Sequence, residues 1–127
     1  TGFEMQDWTL SVSEEKPEAK LSIKMSVPRL CAAAGKRLFV SINPLNYWED
    51  IPVENADRKH PIYIQSGFVE KDEVVFQLPP GYEIEALPTE EYLMESNFGS
   101  FLWQIKKEDK QVNLIRKLVI EAGENRC

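Results

Sequence analysis

The stretch DEVVFQLPPGYEIEALPTEEYLMESNFGSF, residues 72–101, decides the fold class. Val74, Phe76 and Leu78 alternate with their neighbours, and Tyr82, Ile84 and Ala86 do the same. Apolar residues at every second position mark strands with one face buried. Pro79-Pro80-Gly81 stands between the two runs. Proline withholds an N–H from any ladder and glycine accepts positive φ, so this triplet ends one strand and redirects the chain. Leu87-Pro88 follows, then Asn97-Phe98-Gly99-Ser100. Gly99 permits a tight bend or bulge just before a strand that begins near Phe101.

The same period runs outward in both directions. Trp8, Leu10 and Val12 share a face, as do Leu21, Ile23, Met25 and Val27 opposite Ser22, Lys24 and Ser26. Leu38, Val40 and Ile42 repeat the pattern, and Ile62 and Ile64 mark a shorter strand. Phe101, Trp103 and Ile105 lead through residues 107–111 into a returning strand over residues 112–121. There Ile115 and Val119 oppose Leu114 and Leu118, and apolar residues on both faces predict a strand that is central or covered on both sides. Eight prolines punctuate the chain too often for long helices. Residues 90–94 are the one helical candidate, too short to nucleate alone. Residues 27–35, with Ala32-Ala33-Ala34 before Gly35, read as a connecting turn.

About seven or eight short strands with turn signals between them predict an all-β fold. The expected form is a two-sheet antiparallel β-sandwich, immunoglobulin/fibronectin-like, built as one domain over residues 1–127. Its expected core is Leu21, Ile23, Met25, Val40, Ile42, Val74, Phe76, Leu78, Trp103 and Ile120.

Composition narrows the function classes. Hydrophobic residues make up 43% of the 127, enough for one core. No apolar run reaches the length of a membrane span, and no leader-like segment opens the chain. The chain carries 15 basic and 21 acidic residues, a formal net charge of −6, which repels a phosphate backbone. Lys106-Lys107 is cancelled at once by Glu108-Asp109, so no basic stripe points to nucleic acid.

Catalytic chemistry finds few candidates. His60 is the one histidine, and Cys31 the thiol that would have to partner it. Cys31 sits in an alanine-rich segment with no helix start to lower its pKa, so a surface His60 is the preferred reading. Cys31 and Cys127 match no zinc or redox spacing, and whether they pair is open. Glu49, Asp50, Glu54, Asn55 and Asp57 lack the spacing and turn glycine of a calcium loop. No catalytic, metal or cofactor residue is assigned. The long segment over residues 43–59 carries Tyr47 and Trp48, whose rings offer a stacking platform for a glycan or peptide. A Trp48 folded back over the core is the competing reading.

Arg58, Pro61 and Ile62 are followed by Asp72-Glu73-Val74, Leu78-Pro79, Gly81-Tyr82, Ile84-Glu85 and Leu87-Pro88. Phe98-Gly99-Ser100-Phe101 and then Arg116, Leu118, Ile120 and Gly123 complete the series. The set, and within it Pro79, Gly81, Tyr82, Pro88, Phe98, Gly99 and Phe101, resembles a β-rich C-terminal domain of unknown function. That domain follows the transglutaminase-like core in proteins of Bacteroidetes-type bacteria, and the resemblance covers about residues 35–123. It implies a non-catalytic accessory module, a piece of a larger protein, in a periplasmic, cell-surface or secreted setting. The implied partners are adjacent domains of the parent chain, and the implied role is scaffolding or interaction. It gives Cys31 and His60 no role, because the family's Cys-His-Asp triad lies in the core domain. Family members continue into another aromatic-rich strand after the region of Gly123, so either that strand is missing from this piece or the protein is a shorter variant.

Overall fold

The computed structural model describes residues 2–43, 46, 60–88 and 90–125. Ten strands run in chain order: β1 (Glu4–Val12), β2 (Ala19–Ser26), β3 (Cys31–Ala34), β4 (Arg37–Val40), β5 (Ile62–Ile64), β6 (Phe68–Gln77), β7 (Glu91–Ser96), β8 (Gly99–Glu108), β9 (Gln111–Ile120) and β10 (Gly123–Asn125). The described chain is all-β and every pairing is antiparallel, consistent with a β-sandwich. The strands number ten among the described residues rather than seven or eight. Among the described residues, no helix is long and apolar enough to cross a membrane.

The chain divides into two compact units, Thr1–Leu45 and Asn46–Cys127. In the first, β1 and β2 form a hairpin with Met5 opposite Met25, Trp8 opposite Ile23 and Leu10 opposite Leu21. The register shifts between Met5 and Asp7, a bulge that keeps Met5 and Trp8 on one face although three positions separate them. β3 and β4 form a second hairpin around Gly35-Lys36. Gly35 has φ +62, which suits the first central residue of a primed two-residue turn.

The second unit holds a four-stranded sheet in the order β6-β9-β8-β7, and a β10-β5 pair. The strand apolar on both faces, β9, lies between β6 and β8, as its pattern predicts. Among the described residues, Ile105, Val112 and Leu114 are the buried apolar residues, with Leu114 only 1% exposed. All three share one face of the sheet, because Leu114 pairs with Ile105 and Val112 lies two residues from Leu114. The Leu78 N–H donates to the Lys110 carbonyl, carrying the β6–β9 ladder one step past Gln77.

Four expectations need correction. Residues 82–86 form no strand. After Pro79-Pro80-Gly81 the Tyr82 N–H donates to the Pro79 carbonyl at 3.2 Å, and Gly81 has φ +85, the geometry of a type II turn. Beyond that turn Ile84 and Leu87 are half-buried, three positions apart instead of two. Both sides of β9 are already occupied, so the alternation of Tyr82, Ile84 and Ala86 finds no ladder there.

Residues 91–96 are strand β7, not a helix, since the Phe98-Gly99 hairpin returns them against β8 and that pairing outweighs weak helix propensity. Ala32-Ala33-Ala34 is strand β3, not a turn, because Gly35-Lys36 sets it against Phe39 and its neighbours. Finally, Leu21, Ile23, Met25 and Val40 of the expected core are exposed. A hairpin of two strands has one apolar face and no second layer of its own to cover it. Ile42, Val74, Phe76, Leu78, Trp103 and Ile120 are half-buried.

Candidate functional site

The most constrained polar group among the described residues is Arg116, 7% exposed in the middle of β9. Side chains alternate along a strand, so Arg116 shares its face with Val112, Leu114, Leu118 and Ile120. Register then decides what surrounds it. Asp72 of β6 and Trp103 of β8 are its direct partners, and Glu70 and Phe101 are the partners of Leu118. Two acids two residues apart on β6 therefore fall beside one guanidinium.

The Nη1 of Arg116 donates to Oδ2 of Asp72 at 2.7 Å and to Oε2 of Glu70 at 3.3 Å, and Nη2 adds a 3.4 Å bond to Glu70. The Nδ2 of Asn46 donates to Glu70 at 3.2 Å and to both oxygens of Asp72, at 3.3 and 3.4 Å. On the β8 side the guanidinium lies 5.8 Å from the Phe101 ring centroid, within cation–π reach. Tyr92 of β7 packs on Phe101 with centroids 6.2 Å apart and rings tilted by 57°. The cluster thus crosses all four strands, from Asn46 through β6 and β9 to β8 and β7.

A guanidinium keeps its charge at any accessible pH, and its planar fork suits more than one carboxylate oxygen. Here it neutralises one of two acids, while the Asn46 amide supplies the extra donor that the second acid needs. No described buried side-chain nitrogen or oxygen lacks a hydrogen-bond partner. The arrangement locks β6 to β9 and ties residue 46 to the sheet.

Nothing in the sequence reading singled out this site. Arg116 entered it only as part of a family resemblance, Phe101 as part of that resemblance and of a strand alternation, and Glu70 not at all. The available signal was a charged residue inside the apolar alternation of a two-faced strand. Its partners depend on register, which the sequence does not carry.

The residues that the sequence did single out are placed as follows. Tyr47 and Trp48 lie outside the described residues, as do Cys127 and the acids of residues 49–57. Cys31 opens β3 in the first unit, and His60 precedes β5 in the second. Pro79, Gly81 and Tyr82 build the type II turn, and Pro88 sits exposed at a bend. Phe98 and Gly99 belong to the β7–β8 hairpin, where the Phe98 N–H donates to Oγ of Ser96 at 3.2 Å. Gly99 has φ +134, so the positive φ expected there is present. Of those among the described residues, Phe101 alone is part of the Arg116 cluster.

Residues 36–124 match the model of a family described as a domain of unknown function, DUF3858. The match takes in the complete Arg116 cluster and leaves out β1, β2 and β3. No curated protein and no solved structure matches the chain.

Proposed function

The chain belongs to this family, DUF3858, and from that membership we propose that it is a non-catalytic accessory β-sandwich module of a transglutaminase-like cell-envelope or secreted protein. Its role is to scaffold or dock the parent's other domains through a sheet face or edge. One observation carries this reading. The shielded charges of the four-stranded sheet are turned on one another, Arg116 against Glu70 and Asp72, while apolar side chains stand outward at the sheet's edge. Tyr92, Leu93 and Met94 of β7 are between half and three-fifths exposed. Adjacent apolar residues on both faces of an edge strand suit contact with another protein better than contact with water. The Leu78-Pro79, Gly81-Tyr82 and Phe98-Gly99 series supports the transglutaminase association, and the envelope setting rests on it too.

The parent polypeptide supplies the test. Its full-length form is compared with a form lacking this module and with one carrying Leu93→Glu, by thermal unfolding of the core and by amine incorporation into a glutamine-bearing peptide. Both changed forms are expected to lower core stability or substrate capture. A parent chain with no transglutaminase-like core overturns the reading, and so does transfer activity in the isolated 127-residue chain.

A further inference from the structure

Among the described residues, each strand of the pairs β1-β2, β3-β4 and β10-β5 has one edge without a ladder partner, as do β6 and β7 at the ends of the four-stranded sheet. An open edge offers a row of N–H and C=O groups to any strand whose side chains match it. The two edges that match best are in the same chain. On β2, Lys20 and Lys24 stand four residues apart on one face, with Leu21, Ile23 and Met25 on the other. On β7, Glu91 and Glu95 stand four residues apart on one face, with Tyr92 and Met94 on the other. All of these side chains are exposed, and Lys20, Lys24 and Glu95 have no ion-pair partner among the described residues.

We propose that the β2 edge of one copy of this chain pairs antiparallel with the β7 edge of a second copy. Lys24 then faces Glu91, Lys20 faces Glu95, Ile23 faces Tyr92 and Leu21 faces Met94. Opposite charges meet on one face of the joined sheet and apolar side chains meet on the other. Directly opposed pairs of both kinds favour a junction. A slip of one residue sets Lys24 against Tyr92 and sends every side chain to the wrong face, so the pattern admits this register and rejects its neighbour.

The other open edges fit less well, and β3, β4, β5 and β10 are only three or four residues long. β1 carries Glu4 and Asp7, which repel Glu91 and Glu95. On β6, Glu70 and Asp72 are committed to Arg116, and Lys71 to Glu73. Each copy owns one basic edge and one acidic edge, so the contact joins unlike surfaces and every copy offers both halves of it.

Sedimentation equilibrium of the 127-residue chain over a range of concentrations and salt is the test. The chain is expected to self-associate, and less so as salt rises. Glu91→Lys with Glu95→Lys in one variant, and Lys20→Glu with Lys24→Glu in another, are each expected to weaken self-association roughly tenfold or more. An equimolar mixture of the two variants is expected to restore it, because each then offers what the other lacks. Far-ultraviolet circular dichroism checks that each variant keeps its strands, and Lys20→Gln with Lys24→Gln replaces any pair that does not. A native chain that stays monomeric at its highest attainable concentration overturns the proposal. So does association indifferent to these charges, or a mixture that stays apart.

Discussion

Arg116 and Asp72 are direct cross-strand partners whose side chains are joined at 2.7 Å, with the arginine side chain 8% exposed and the aspartate 23%. The pair is more shielded than a surface salt bridge and shares its charge with Glu70. Loss of the cation alone leaves two carboxylates side by side with only the Asn46 amide between them. Arg116→Met is expected to destabilise the fold by about 3 kcal/mol, most of it from uncompensated charge. Adding Asp72→Asn and Glu70→Gln in the same chain is expected to recover a large part of that. Urea unfolding of the three proteins decides it. A loss within about 0.5 kcal/mol for Arg116→Met would show that the cluster holds nothing together.

Gly99 lies against the backbone of Val119 on the neighbouring strand. A Cβ built on Gly99 falls onto the Val119 carbonyl oxygen and 2.8 Å from its carbonyl carbon, and φ is +134 besides. Backbone cannot swing aside as a flexible side chain can. Gly99→Ala is expected to cost more than about 3 kcal/mol, or to abolish folding, through overpacking and strain together. Gly35 is the control: φ is +62 but nothing lies within 4 Å of a Cβ there. Gly35→Ala is expected to cost about 1 kcal/mol, the penalty of the left-handed region alone. Equal midpoints for the two variants in thermal unfolding would contradict this account.

The same glycine shows what a sequence can and cannot carry. Gly99, Gly81 and the period-two runs are local signals, and the positive φ values, the type II turn and the strands at residues 101–105 and 112–120 follow from them. The central place of β9 was also legible, because Leu114 and Leu118 oppose Ile115 and Val119 within one strand. Ladder partners were not legible. Tyr82, Ile84 and Ala86 alternate as well as Val74, Phe76 and Leu78 do, but only the second set has a strand beside it. Glu90 to Met94 reads as helix by propensity until Gly99 turns the chain back onto it. The Arg116 cluster was invisible for the same reason, since Glu70 and Asp72 reach it only through the register of β6 on β9.

Lys71 and Glu73 sit on the other face of β6, where their side chains are hydrogen-bonded. That bond, and then the lysine charge, hold the Glu73 carboxyl below its ordinary 4.5. A carboxyl depressed in the folded state contributes stability above its unfolded value, and that contribution is lost as pH falls through the folded value. Both side chains are more than half exposed, so water screens the effect on stability. Carboxyl-detected NMR is expected to place the Glu73 midpoint below 4.5, and Lys71→Met is expected to raise it while urea unfolding at neutral pH barely changes. A midpoint indifferent to Lys71 would remove the assigned cause.

Leu114, on a strand apolar on both faces, and Leu21, on an alternating strand, are both apolar strand residues, but the structure treats them oppositely. Leu114 is 1% exposed between two neighbouring strands, while Leu21 is 58% exposed on a two-stranded hairpin. Truncating a buried leucine removes its transfer free energy and leaves a cavity, which costs about 2–5 kcal/mol. Truncating an exposed one opens no cavity, so Leu21→Ala is expected to change stability by less than about 0.5 kcal/mol at dilute concentration. Urea unfolding read through tryptophan fluorescence compares them directly. A Leu21→Ala loss as large as that of Leu114→Ala would mean that the hairpin face is covered in solution, and the folding core would then have to include β1 and β2.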